Sequence, residues 1–266
     1  MRAGDRRPER SAALFGPDVP TVRLDFDDPA TFAPAATGCR AVFLMRPPAI
    51  SNVSSTLIPF VAEARRVGVR HVVFLSVAGA GSNPLVPHHA VERYLVAQAG
   101  DWTLLRPGFF AQNLGDAYRR DIAEDDRVYL PAGSGRVAFI DVADVAEIAA
   151  LVLATPADHC RLAYELTGSA AVPFSDVADL LTRALGRTIR YIPASILGYA
   201  RHLHRRAAPA AQILVQTVLH VAVRWGQAAT IDPTLARLLG RPPRTIADYI
   251  RDHTTLWQPA ITPRRS

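Results

Sequence analysis

Short apolar runs alternate with amphipathic segments through the first half of this 266-residue chain, and this alternation is the strongest constraint on its fold. The apolar runs predict buried strands at residues 21–24, 41–45, 71–75 and 103–105. The amphipathic segments predict helices at residues 8–15, 29–36, 54–67 and 87–98. Strands that alternate with helices form a parallel sheet covered on both faces, joined by right-handed crossovers. We therefore predict an α/β fold with a doubly wound parallel sheet.

The pattern changes in the second half of the chain. A helix is predicted over residues 113–122, and another over residues 141–155 after an aspartate cap. From about residue 194 the chain is predicted to be helical, with a break at Arg241-Pro-Pro-Arg. We therefore divide the chain into a first domain, residues 1–125, and a smaller, mostly helical lobe interleaved with it, residues 126–266.

Composition narrows the class of protein. With 49% hydrophobic and 20% charged residues, the chain is typical of globular proteins rather than disordered ones. The two cysteines, Cys39 and Cys160, lie far apart in apolar contexts, which predicts neither a disulfide framework nor a metal site and favours the cytoplasm. No signal peptide is predicted. Residues 208–225 are apolar but include two glutamines, a histidine and an arginine, which favours a buried or groove-lining helix over a membrane span.

The formal net charge is +6, and every lysine-or-arginine position is an arginine. A bacterial genome of high GC content explains this usage, so the charge is weak evidence for a nucleic-acid partner. Basic clusters occur at residues 201–206, 241–244 and 264–265, without a recognition element or stacking aromatics beside them. We interpret them as solvated helix ends and expect neither a nucleic acid nor a membrane as partner.

Five segments in a fixed order carry a resemblance to a known family. They are Gly68-Val-Arg-His-Val-Val-Phe-Leu-Ser-Val-Ala-Gly-Ala, His88-His-Ala-Val-Glu-Arg-Tyr-Leu, Asp101-Trp-Thr-Leu-Leu-Arg-Pro-Gly-Phe-Phe-Ala-Gln-Asn, Ala138-Phe-Ile-Asp-Val-Ala-Asp-Val-Ala-Glu and Tyr164-Glu-Leu-Thr-Gly. Together they resemble the NmrA-like branch of the atypical short-chain dehydrogenases/reductases, over roughly residues 2–193. The resemblance implies a Rossmann fold that binds NAD(P), often with a preference for NADPH.

The sequence departs from the family at its front end. The family opens with a strand and a Gly-x-x-Gly-x-x-Gly turn, whose backbone N–H groups hold the pyrophosphate of the cofactor at a helix N-terminus. Here the sequence begins Met1-Arg-Ala-Gly-Asp, which resembles the end of the family's second strand. Two alternatives stay open: the start lies upstream, or the phosphate cradle has been lost. A fold without that strand must fill its slot, for example by dimerising.

The resemblance implies contacts to the adenosine half of the cofactor. Arg6 matches an arginine that can pair with the 2′-phosphate, and its alternative is a solvated arginine at a helix start. Asp25 and Phe26 match adenine contacts, and a turn-capping aspartate is the alternative. Leu44 and Met45 would lie along the ribose and phosphates, beyond the carboxyl end of a strand.

Contacts to the nicotinamide half are implied for two further places. Ser76 follows a strand and matches a position near the nicotinamide, with a turn serine as the alternative. Pro107, Gly108 and Phe109 would pass the nicotinamide face, where the glycine permits close approach. Core packing and strand termination are compatible with the same residues.

His88 is the candidate catalytic residue. It matches a position occupied by lysine in many relatives, where a cationic or hydrogen-bonding group can hold the nicotinamide ribose and help protonate a reduced carbonyl. The usual tyrosine partner is missing, because Pro84 stands in its place, and the chain has no lysine for a Tyr-x-x-x-Lys pair. The alternatives are a surface pair between His88 and Glu92, one helical turn apart, or a role for His89 instead.

Three functions stay open, of which the resemblance implies the first two and the missing front end of the fold suggests the third. The first is NADPH-dependent reduction of a flat quinone, enone or secondary metabolite. The second is a non-catalytic regulator that senses NAD(P). The third is a truncated scaffold without cofactor. NADP is favoured over NAD, no metal is expected, and the expected partners are a small-molecule substrate and a second copy of the chain.

Overall fold

The computed structural model describes residues 1–258, which form two units. The first unit consists of residues 1–106 with residues 149–164. The second consists of residues 107–148 and the chain from residue 165 onward. The α/β class is confirmed. The expected functional division at residues 125 and 126 stays a prediction.

The first unit alternates strands and helices along the chain. Its elements are β1 (Ala3–Asp5), α1 (Pro8–Phe15), β2 (Thr21–Arg23), α2 (Phe32–Ala36), β3 (Ala41–Met45), α3 (Leu57–Arg66), β4 (His71–Leu75), α4 (Pro87–Ala97) and β5 (Asp101–Pro107).

Strands β3, β4 and β5 of this unit pair in parallel. β4 lies between β3 and β5 with Val72 opposite Val42 and Trp102, and β9 (Leu162–Leu166) adds a fourth strand beside β5. β1 and β2 form a separate parallel pair, with Gly4 opposite Val22. The first four residues of β4 are buried, as expected of a strand covered on both faces by helices.

Apolar faces of the helices form the core of the first unit. Phe60 on α3 packs edge-on against Phe32 and Phe26, with ring centroids 5.5 Å apart in both pairs. Leu57 and Leu95 are fully buried in the same cluster. Each such side chain stabilises the fold by about 1.5–3 kcal/mol, so α2, α3 and α4 are held against the sheet mainly by apolar packing.

The second unit mixes short strands with helices. Its elements are β6 (Phe109–Phe110), α5 (Arg119–Asp125), β7 (Arg127–Leu130), β8 (Arg136–Ile140), α6 (Val142–Ala154, which runs on into the first unit), β10 (Ala171–Pro173), α7 (Phe174–Leu185), β11 (Arg190–Pro193), α8 (Ile196–Arg205), α9 (Ala210–Arg224), α10 (Thr234–Leu239) and α11 (Ile246–Asp252). β8 lies between β6 and antiparallel β10, and β7 pairs with β11 in parallel.

Aromatic side chains form the core of the second unit. Phe139 and Phe174 pack edge-on, with ring centroids 5.7 Å apart. Trp257 is fully buried and donates its indole N–H to the Leu114 carbonyl at 2.9 Å. The predicted aspartate cap is confirmed, because Asp141 accepts a hydrogen bond from the Ala143 amide at 3.0 Å at the start of α6.

One helix prediction is wrong. Residues 113–122 do not form one helix: a short 3₁₀ turn spans Ala111–Leu114, and α5 begins only at Arg119. The interruption lies at Gly115, where an added Cβ would come within 2.7 Å of both the Tyr249 hydroxyl and a Leu256 methyl group. Packing against the C-terminal segment therefore overrides the local helical pattern.

Within residues 1–258, no helix is long and apolar enough to cross a membrane. The same residues contain no group of three or more His, Cys, Asp or Glu side chains that could hold a metal ion. Cys39 and Cys160 are both free thiols.

Candidate cofactor site

Asp5 and Arg6, neighbours at the carboxyl end of β1, have different surroundings. Asp5 accepts hydrogen bonds from the Ser11 hydroxyl at 2.6 Å and from the Arg7 amide at 2.7 Å. These bonds lower the pKa of Asp5 and hold the start of α1. The exposed Arg6 guanidinium has no hydrogen-bond or ion-pair partner anywhere in the described part of the chain. Arg6 is therefore without a contact in the described chain, whereas Asp5 is engaged by the start of α1.

The loop after β2 is organised by its own side chains. The Asp25 carboxylate accepts a hydrogen bond from the Asp27 amide at 3.1 Å, and Asp28 caps the following 3₁₀ turn through the Ala30 amide at 3.2 Å. Phe26 is half-buried against Phe60. Asp25 thus has the turn-forming contact of its alternative interpretation, and its adenine contact stays a prediction.

At the end of β3, neighbouring side chains point in opposite directions. Leu44 is buried in the core, whereas Met45 is 55% exposed. Only the backbone of Leu44 is left for a ligand. Arg46 then folds back over its own loop and donates to the carbonyls of Pro47 and Ile50, the former at 3.2 Å.

His88, in the first turn of α4, is only 8% exposed. Its Nε2 accepts a hydrogen bond from Arg46 Nε at 3.3 Å, which assigns the ring hydrogen to Nδ1. Within residues 1–258 this buried Nδ1 has no hydrogen-bond partner. Burial and the positive charge of Arg46 lower the pKa of His88 to about 4. At neutral pH the ring is therefore an uncharged donor with one free N–H group.

Glu92 has a different main partner from the one that helical spacing suggested. It accepts two hydrogen bonds from the Arg106 guanidinium, at 3.0 and 2.7 Å, and one from the Ser76 hydroxyl at 2.5 Å. Glu92 is almost fully buried. This forked ion pair ties the ends of β4 and β5 to α4, and sequence reasoning missed it. The only available signal was an arginine ending an otherwise apolar strand.

The loop that follows β4 packs against the Arg106 guanidinium. Gly81 lies so close to the Arg106 guanidinium that an added Cβ would approach it to 2.5 Å. His89 bonds through Nδ1 to the Ala80 carbonyl at 2.7 Å. His89 therefore anchors the loop to α4, and its Nδ1 is engaged in that contact, unlike Nδ1 of His88.

Pro107, Gly108 and Phe109 begin the second unit. The Gly108 amide donates to the Leu166 carbonyl at 2.9 Å, and Phe109 is buried against Phe139 with ring centroids 5.6 Å apart. An added Cβ at Gly108 would meet only ordinary van der Waals contacts, the nearest at 3.7 Å. The protein's own packing does not require glycine at this position.

The basic clusters of the second unit pair with acidic neighbours. Arg241 contacts Asp144 at 2.8 Å, and Arg244 contacts Asp141 at 2.8 Å. Arg206 bridges three acidic residues of α5, namely Asp121, Glu124 and Asp125. The cluster at residues 264–265 lies outside the described residues. These pairs balance much of the positive charge locally.

The residues of the first unit fit parts of a dinucleotide. Ligands of parallel α/β sheets bind beyond the carboxyl ends of the strands, and Arg6 and Met45 lie there. An unpaired guanidinium suits a phosphate, and the free, buried Nδ1–H of His88 suits a hydroxyl or carbonyl oxygen. No residue is assigned to the pyrophosphate, because the described residues contain no Gly-x-x-Gly-x-x-Gly turn.

Known proteins are similar to this chain in sequence and in fold. Residues 1–156, more than half of the chain, match the NAD(P)H-binding family. An NAD(P)H azoreductase from Xenophilus azovorans is 30% identical over 255 residues, which cover 93% of this chain and 87% of the relative. The NADPH complex of an Escherichia coli quinone oxidoreductase superposes with a TM-score of 0.85 at 25% identity, covering 95% of this chain and 89% of that one.

The fold likeness extends to a regulator. The negative transcriptional regulator NmrA, solved with NADP, has a TM-score of 0.74 at 14% identity and covers 96% of this chain and 87% of its own. Fold and sequence thus define an oxidoreductase scaffold that binds a nicotinamide cofactor. The chain belongs to the NAD(P)H-binding family.

Proposed function

We propose that this protein is an NADPH-dependent reductase of flat, conjugated small molecules such as quinones and enones. The observation that carries the proposal is the pair of free polar groups in the first unit, the Arg6 guanidinium and Nδ1–H of His88. The names of the relatives support it, since one is an azoreductase and another a quinone oxidoreductase. The cytoplasm as setting and a homodimer as assembly belong to the same proposal.

Arg6 provides the preference for NADPH. A guanidinium offers forked donors to the 2′-phosphate that distinguishes NADPH from NADH. An acidic residue at this strand end would instead favour the 2′-hydroxyl of NADH, but both oxygens of Asp5 are already hydrogen-bonded. The free guanidinium of Arg6 and the engaged carboxylate of Asp5 together favour NADPH over NADH.

His88 acts as a neutral hydrogen-bond donor that orients the bound ligand, and it does not act as a proton donor. When bound, the nicotinamide supplies the hydride. The neutral His88 ring donates its Nδ1–H to an oxygen of the nicotinamide ribose or of the substrate, while Arg46 fixes the other ring nitrogen. With a pKa of about 4, His88 holds a hydrogen bond at neutral pH and does not store a proton for release.

The other sequence-based assignments remain part of the proposal. Ser76 acts as a positioning residue, since it is buried and its hydroxyl donates a hydrogen bond to Glu92. The remaining assigned contacts to the cofactor are those of Asp25, Phe26, Leu44, Met45, Pro107, Gly108 and Phe109.

The decisive experiment follows oxidation of NADPH and NADH with a panel of quinones, enones and azo dyes. Arg6→Ala should raise the KM for NADPH about 10- to 100-fold, the value of a charged hydrogen bond, and leave the KM for NADH nearly unchanged. Arg10→Ala, at an exposed position on α1, is the matched control and should behave as wild type.

Failure of this proposal would take one of two forms. Binding of NADPH by calorimetry without turnover on any substrate would favour a sensor, a reading supported by the missing Tyr-x-x-x-Lys pair. Absence of NADPH binding altogether would favour a scaffold without cofactor. Either result overturns the reductase.

A further inference from the structure

Helix α9 in the second unit turns its polar side chains inward. His220 is 1% exposed and hydrogen-bonds through Nε2 to the Tyr118 hydroxyl. Gln216, one turn earlier, accepts a hydrogen bond from the Tyr199 hydroxyl at 3.2 Å. Burial lowers the pKa of His220 to about 4, so the inward contact is neutral at ordinary pH. The face of this helix that packs on its own unit thus includes Gln216 and His220 beside the buried Val223.

The outward face of α9 is apolar. Leu214 is 66% exposed and Val218 is 59% exposed, with Val215 and Leu219 exposed beside them. Trp225 follows the helix and is 76% exposed. A surface helix of a globular protein normally has charged and polar residues on its outward face. An outward apolar face of this extent marks a surface that is covered in the functional state.

The spacing on this face matches a helical partner. Ala211, Leu214, Val218, Val221 and Trp225 are separated by three, four, three and four residues. Alternating steps of three and four place side chains on the seam of a two-helix coiled coil. From residue 210 to residue 223 the helix contains no Asp, Glu, Lys or Arg, so the seam is free of charge.

We propose that two copies of this chain pair through α9, related by a two-fold axis near Val218. A two-fold axis makes one surface contact itself, and the uncharged seam allows this without repulsion. Arg224 lies outside the seam, since its side chain packs beside Gly133 of its own subunit.

The available area sets the strength of this dimer. From their exposed fractions, the four aliphatic side chains and Trp225 offer roughly 500 Å² of apolar surface on each copy. Two copies together bury roughly 1,000 Å², the lower limit for a specific interface. The dimer is consequently a reversible one, which forms and dissociates with protein concentration.

Sedimentation velocity over a range of protein concentrations tests the proposal. The mass of the wild type should rise from 28.8 kDa towards twice that value as concentration increases. Leu214→Glu should weaken association by about 100-fold or more, because it places a carboxylate in the apolar seam of each subunit. Leu14→Glu is the matched control: the same substitution at an exposed position of α1 should leave association unchanged.

A second test does not require a variant that weakens the dimer. Val218→Cys places one thiol near the two-fold axis, so mild oxidation should give a covalent dimer, whereas Leu14→Cys should stay monomeric under the same conditions. Circular dichroism establishes that each variant is folded. Val218→Thr, which keeps the side-chain shape, serves if Leu214→Glu is not folded, and it should weaken association in the same direction.

Three results would overturn the proposal. The first is a wild type that stays at 28.8 kDa at every concentration and does not cross-link through Val218→Cys. The second is a dimer that Leu214→Glu leaves intact. The third is a monomer that floats with vesicles of phosphatidylcholine and phosphatidylglycerol and loses this property in Leu214→Glu, which would assign the face to a membrane surface instead.

Discussion

Arg46 donates its Nε–H to Nε2 of His88 across 3.3 Å and thereby determines which nitrogen of the buried ring is free. The two residues are 42 positions apart, and the bond links the loop after β3 to the start of α4. Arg46 therefore fixes the orientation of the ring, while burial, together with the positive charge of Arg46, lowers the pKa of His88 and keeps the ring uncharged.

Arg46→Gln should raise the pKa of His88 from about 4 towards its ordinary value. Removal of a neighbouring positive charge favours the protonated ring, although burial still holds the pKa below about 6.5. An NMR titration of the histidine ring protons measures this shift. An unchanged His88 signal would show that burial alone sets its pKa.

Glu92→Gln should destabilise the protein by about 1.5–3 kcal/mol, because a neutral amide replaces the buried carboxylate that accepts two hydrogen bonds from Arg106. Urea unfolding measures the loss. Glu63→Gln is the control, since Glu63 forms a similar forked pair with Arg66 at the surface. That substitution should have no measurable effect on stability. Equal losses in both variants would contradict the role of burial.

Acid should destabilise the fold through its buried neutral histidines. His88 and His220 have a pKa of about 4 when folded, below the unfolded value near 6.5. Between these values the unfolded chain binds more protons, so stability falls as pH is lowered through this window and is fully present above it. At pH 5 each histidine accounts for a loss of about 2 kcal/mol.

Unfolding free energies at pH 7.5 and pH 5 test this acid response. His220→Gln should reduce the difference between the two pH values, and His204→Gln, at an exposed position of α8, should not. The comparison uses the change with pH, so the loss of the Tyr118 hydrogen bond in His220→Gln does not obscure it. A wild-type stability that is flat across this range would contradict the prediction.

Gly108→Ala tests whether Gly108 is needed for contact with a ligand or for packing within the protein. An alanine at this position meets nothing closer than 3.7 Å, so the melting temperature should stay unchanged while kcat for a quinone substrate falls about tenfold or more. Gly168→Ala is the contrasting variant, since its Cβ would lie 2.0 Å from the Phe139 carbonyl oxygen. We expect that variant to unfold at a clearly lower temperature. Full activity in Gly108→Ala would remove Gly108 from the nicotinamide site.

Local sequence signals predicted the elements well. β3 and β4 have the predicted bounds, and the cap at Asp141 is where the sequence placed it. These features depend on residues within one turn or one strand. The contacts of the site do not: Glu92 meets Arg106 across 14 positions, and Gly115 meets Tyr249 across more than a hundred. Such pairs arise only once the sheet brings distant segments together, so the pattern of a single segment could not reveal them.

The different contacts of Asp5 and Arg6 at the end of β1 have an evolutionary consequence. Asp5 supports the fold through Ser11 and the Arg7 amide, whereas Arg6, the next residue, supports nothing in the described chain. Mutation at position 6 therefore leaves the scaffold intact. With Arg6 in its proposed role as the contact to the 2′-phosphate, coenzyme preference in this lineage can change by single substitutions without a compensating change elsewhere.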